Sequence, residues 1–89
     1  MNIEHEFLEQ IAEEPWPLRR CLDFIAAHKD PWPVLQGLYA DGCLELRRGA
    51  AEAPTPGWQA DAIFRARDAA AADGVFVAIT GRGVARAFS

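Results

Sequence analysis

Lysine, cysteine, hydroxyl side chains and long apolar runs are all scarce in this chain, and each scarcity removes a class of function. One lysine, Lys29, stands beside eight arginines, and nine cations face thirteen carboxylates for a net charge of −4. That balance argues against a domain whose affinity comes from a strongly basic surface laid on nucleic acid. Cys21 and Cys43 are far apart and form no Cys-x-x-Cys pair, so a zinc site shared with His5 and His28 is not indicated and no metal is expected. Both read as reduced, buried thiols. Thr55, Thr80 and Ser89 are the only serine or threonine hydroxyls, and none lies near a histidine in sequence. With no nucleophile beside a base, no enzyme activity, cofactor or small-molecule substrate is expected. Apolar stretches fall well short of the roughly 18–20 residues of a spanning helix. The acidic start MNIEHEFLEQ lacks the basic and apolar regions of a secretory signal, so a cytoplasmic protein without membrane contact is expected.

What remains is the composition of an ordinary globule: 89 residues, 51% hydrophobic and 10% aromatic. A chain this short buries only roughly 60–65% of the surface its unfolded form exposes, so residues 1–89 are expected to make one domain with a thin core. Charge is unevenly spread. Residues 1–45 hold nine acids against three bases, and residues 46–89 hold six arginines against four acids, so an anionic partner would meet the second half.

Helices dominate the first half. Asn2 is placed to cap a helix whose inward face is Ile3, Phe7, Leu8 and Ile11, and Pro15 stops it. After Pro15-Trp16-Pro17, with Pro17 suited to a first helical position, Leu18, Cys21, Leu22, Ile25 and Ala26 recur at helical spacing. The run Asp30-Pro31-Trp32-Pro33 opens a third helix over about 31–41, because prolines are tolerated where the N–H groups have no intrahelical acceptor. Leu35 and Leu38, with Val34 or Tyr39, form its core stripe, and Gly42 suits the left-handed position that ends it.

Residues 43–48 alternate with period two and predict a half-buried strand. The run GAAEAPTPG at 49–57 predicts a surface loop. Residues 58–73 carry two signals: four alanines in a row and an Asp61 to Arg65 spacing favour a helix closed by Asp73-Gly74, whereas Ile63 to Arg67 alternate as in a strand. Val75 to Ile79 predict a strand, and Thr80 can cap a last helix burying Val84 and Phe88.

Two stretches carry a family resemblance. Val34-Leu-Gln-Gly-Leu-Tyr-Ala-Asp-Gly-Cys-Leu-Glu-Leu resembles a recognition helix running through a DG turn into a wing strand. Val75-Phe-Val-Ala-Ile-Thr-Gly-Arg-Gly is similar to a second wing strand followed by a Thr-capped helix. The chain thus resembles a winged-helix domain. The fold this implies is α+β: three N-terminal helices, a short two- or three-stranded antiparallel wing sheet, and a C-terminal helix. The stretch at 49–74 would be a loop or helix inserted in the wing. It is longer than a usual wing, and the second and third helices have almost no connection between them.

The resemblance implies that the third helix would read DNA, yet between Pro31 and Asp41 there is no Arg or Lys to meet base edges or phosphates. Its outward residues suit a protein partner or a second copy better, so Trp16, Trp32, Gln36 and Tyr39 are candidate partner-binding residues. The two tryptophans, each framed by prolines, can equally lid the core. Arg47, Arg48, Arg65, Arg67, Arg82 and Arg86 are the candidates for DNA phosphate or another anion. Gly81-Arg82-Gly83 is not a dinucleotide fingerprint, since Arg86 occupies the position of the third small residue and no further strand follows. The leading reading is a non-catalytic regulatory module acting through protein contacts. The alternative is a transcriptional regulator that grips phosphates with an arginine-rich wing and last helix.

Overall fold

The computed structural model describes residues 2–49, 53–68 and 73–88. Within them the chain runs α1 (Ile3–Ile11), β1 (Trp16–Pro17), α2 (Leu18–Ala26), α3 (Pro31–Ala40), β2 (Leu44–Arg47), α4 (Gly57–Ala66), β3 (Phe76–Ile79) and α5 (Gly81–Ala87). The three strands form one antiparallel sheet in the order β1-β3-β2. The result is a small α+β domain.

The N-terminal helices form where the apolar spacing predicts them. Asn2 accepts a hydrogen bond from the Glu4 N–H, and Ile3, Phe7, Leu8 and Ile11 are buried. Leu18, Cys21, Leu22 and Ile25 are buried on α2, whereas Ala26 is exposed. Asp30 accepts from the Trp32 N–H at the start of α3, and Gly42 takes the left-handed conformation at φ +77°. Pro17 differs from expectation. It stands just outside α2, at its N-cap, because its backbone is spent on pairing with Phe76 in β1.

That short strand is the element the residue pattern does not announce. Trp16 pairs with Val77, and the Leu18 N–H donates to the Val75 carbonyl at 2.9 Å. Prolines on both sides hold the segment extended, and the edge of a sheet is where a proline without an N–H does least harm. The pairing seats the Trp16 indole in the core, 6.3 Å from the Phe7 ring and 5.6 Å from Phe24, both edge-on.

The insertion folds back onto the body. Thr55 N–H donates to the Leu46 carbonyl at 2.7 Å and Pro54 bridges Arg47, so the described end of the expected loop covers the outer edge of β2. α4 then buries Ala60 and Phe64, and the Phe64 ring lies 5.4 Å from Tyr39 of α3. The helix alternative for this region is the one that forms, but it ends at Ala66, with Arg67 left-handed at φ 49°. Its expected continuation through 69–72 lies outside the described residues. Nor do Asp61 and Arg65 form an ion pair among the described residues.

α5 meets the sheet by its small face, which overturns the expectation that Val84 and Phe88 are buried. Gly83 and Ala87 face inward, leaving Val84 41% and Phe88 64% exposed. The cause is a close approach: a Cβ on Gly83 would lie 2.3 Å from the Cys43 carbonyl oxygen and 2.7 Å from Ile79 Cγ1. Thr80 fixes that approach, its hydroxyl donating to the Gly42 carbonyl at 2.6 Å while accepting from the Gly83 N–H at 3.1 Å.

Gly83→Ala should therefore destabilise the domain by about 2–3 kcal/mol or more, because the obstructing atom is backbone. Gly81→Ala, with open space around its Cβ, should be neutral or stabilising by up to about 1 kcal/mol. Urea unfolding of the two variants measures the difference, and equal midpoints would refute the close approach.

Candidate functional site: two exposed apolar surfaces

Three large apolar side chains stand exposed among the described residues: Trp58, Val84 and Phe88. They fall on two surfaces. Trp58, 71% exposed, lies in the first turn of α4 and borders a shallow groove formed with Arg48, Ala62, Ile63, Ala66 and Asp68. It points outward because the buried Ala60 lies two positions on, about 200° round a helix of 3.6 residues per turn. Val84 of α5 and Phe88, one turn on at the helix C-cap, border a second groove with the end of α1.

The residues proposed for partner binding scatter. Trp16 is only 6% exposed and is part of the core, so it offers no surface to a partner. Its ring packs edge-on against Phe7 and Phe24, which also touch each other, and the Arg20 guanidinium covers it at 4.0 Å. Trp32 is half-buried against the core and Tyr39 half-buried against Phe64, leaving Gln36 as the exposed member of the four. Trp58 is absent from that set although one signal for it exists in the sequence: in a helical reading, Ala60 and Phe64 share a face and Trp58 falls opposite.

The six arginines do not converge. The β2–β3 register pairs Leu44 with Ile79 and Arg47 with Phe76. Arg47 and Arg48 therefore lie at one end of the strand pair, with Arg82 and Arg86 beyond the other. At about 3.3 Å per residue, the strand alone separates the pairs by roughly 10 Å. Arg65 and Arg67 are exposed at the end of α4. Arg47 is paired with Glu45 on its own strand.

Arg86 has an internal role. One nitrogen reaches Asp41 at 3.1 Å and the Cys43 Sγ at 3.9 Å, and the other reaches Glu4 at 3.3 Å. The bonds to Cys43 and Asp41 raise its pKa above the ordinary arginine value. A single guanidinium thus ties α5 to α1 and to the end of α3. Arg82 is exposed and passes over Gly42.

No group of three or more His, Cys, Asp or Glu able to hold a metal is found among the described residues. No helix there is long and apolar enough to cross a membrane. Both thiols are free and buried. Burial pushes the Cys21 thiol from 9.0 up to about 12, outweighing the lowering by its backbone hydrogen bond and by Arg20.

Because the folded state resists losing that proton, the stabilising contribution is complete below about pH 9 and is lost as pH rises toward 12. The wild-type domain should lose stability relative to Cys21→Ala by at most about 1.4 kcal/mol per pH unit over that window. Urea unfolding of both at pH 8, 9 and 10 checks it; parallel pH profiles would refute it. Against this geometry, no family model, no curated protein and no solved structure matches the chain.

Proposed function

We propose that this chain is a non-catalytic regulatory module of winged-helix type that acts through protein contacts, with the outer face of α4 and the adjoining end of β2 as its contact surface. The observation that carries the reading is Trp58, a tryptophan 71% exposed beside an open groove on a helix firmly anchored by Ala60 and Phe64. A large rigid ring on an ordered helix gives contact area at little entropic cost, which is why tryptophan recurs as an interface anchor. Arg48 and Asp68 at the groove add polar contacts of both signs.

The order of elements and the antiparallel sheet support the winged-helix reading. The position of α4 supports protein over DNA as the partner. Tyr39, on the helix that would enter a major groove, is covered by Phe64, and that helix still presents no cation. Binding phosphate through Arg86 would require breaking its contacts with Glu4 and Asp41. Gln36, Gly37 and Ala40 remain exposed and extend the candidate surface onto α3.

Trp58→Ala should leave the unfolding free energy within about 0.5 kcal/mol of wild type. It should weaken the partner complex by about 2 kcal/mol, roughly thirtyfold. Capture on immobilised wild-type and variant domains, followed by the Kd of any protein retained by the wild type, measures this; equal retention overturns the assigned surface. A mixed-sequence DNA duplex at low salt should leave the amide spectrum unchanged. Binding with a log–log salt slope of about −0.9 per phosphate, lost on replacing Arg47, Arg48 and Arg82 by Ala, would favour the DNA alternative.

A further inference from the structure

The second exposed surface has a different chemistry. Val84 and Phe88 form an apolar step one turn apart at the C-terminal end of α5, and Ala12, half-buried, continues it toward α1. Glu9 and Glu13 border the step, with Gln10 between them, and among the described residues the lining contains no cation. The cation nearest in sequence on α5, Arg86, is turned toward Glu4 and Asp41. His5 contacts Glu9 at 3.1 Å from the same helix. The carboxylates also sit at the C-terminal end of α1, where the helix dipole is negative and the last turn holds no basic residue. Acidic side chains there work against local stability, and their field adds to that of the dipole over the apolar step.

We infer that the groove between the end of α1 and the outer face of α5 is a docking site for a basic amphipathic helix of a partner protein. Its apolar stripe would cover Val84, Phe88 and Ala12, and flanking Lys or Arg side chains would meet Glu9 and Glu13. Two helices form the walls, so the groove takes a helix that brings its own satisfied backbone. Charge complementarity selects this occupant over a second copy of the chain. The other exposed large apolar side chain among the described residues, Trp58, shares its groove with Arg48 and Asp68 and brings no net positive charge. An anionic lipid surface would be repelled by the same carboxylates. This inference is independent of the α4 surface and does not require it.

The test is an amide NMR titration of the intact chain with a synthetic Leu/Lys amphipathic helical peptide and, separately, with its Leu/Glu counterpart. The Leu/Lys peptide should shift Glu9, Ala12, Glu13, Val84 and Phe88, and the Leu/Glu peptide should not. Phe88→Ala should weaken binding at least about tenfold, and Glu9→Gln with Glu13→Gln should weaken it and flatten its salt dependence. Trp58→Ala should leave it unchanged. Shifts that map elsewhere, equal binding of the two peptides, or full affinity in Phe88→Ala would each overturn the inference. Concentration-dependent dimerisation abolished by Phe88→Ala would overturn it in favour of a second copy.

Discussion

The Trp16 indole is in contact with both N-terminal helices through Phe7 and Phe24, while its backbone pairs with Val77 at the centre of the sheet. One residue thereby fixes α1, α2 and β3 relative to one another. In a chain that buries so little surface in total, a large aromatic side chain spent this way is worth more to folding than it could be to a partner. The prolines on either side make the arrangement cheap, since an extended backbone is already their preferred conformation. With Trp16 consumed and Trp32 half-buried, exposed aromatic surface among the described residues passes to Trp58 and Phe88.

A second constraint closes the other end of the molecule. Thr80, Gly83 and the Gly42 and Cys43 carbonyls bring α5 into near contact with the turn after α3. Because only a glycine permits that approach, the small face of α5 goes inward and its larger side chains go out. The apolar step of Val84 and Phe88 is thus a consequence of backbone packing. Arg86 follows from the same docking, which carries its guanidinium to Glu4 and Asp41. The excess of arginine in the second half of the chain is in this way partly absorbed by the acids of the first. The two exposed surfaces differ accordingly: the Trp58 groove carries charges of both signs, whereas the charged residues described at the apolar α1–α5 groove are both acidic.

Most of the secondary structure was legible from the residues. Helical phase identified the buried faces of α1, α2 and α3, and Asn2, Asp30, Gly42 and Thr80 each cap or end a helix where local chemistry places them. These features are decided within one or two turns of chain, so neighbouring residues are sufficient to specify them. The alternation at 43–48 and the run of β-forming apolar residues at 75–79 likewise marked two strands that pair antiparallel, with the insertion between them.

Tertiary structure decided what depends on distant partners. β1 exists only because β3 offers an edge to Trp16 and Pro17, and the side of α5 that is buried depends on the carbonyl it meets. The Arg86 contacts span 45 residues to Asp41 and 82 to Glu4, and no local pattern encodes them. The candidate site was the least legible part, because exposure is what remains after packing has taken its share. Trp16 and Trp58 are the same residue type, one buried in the core and the other left on the surface, and only the three-dimensional arrangement of the sheet and helices assigns the difference.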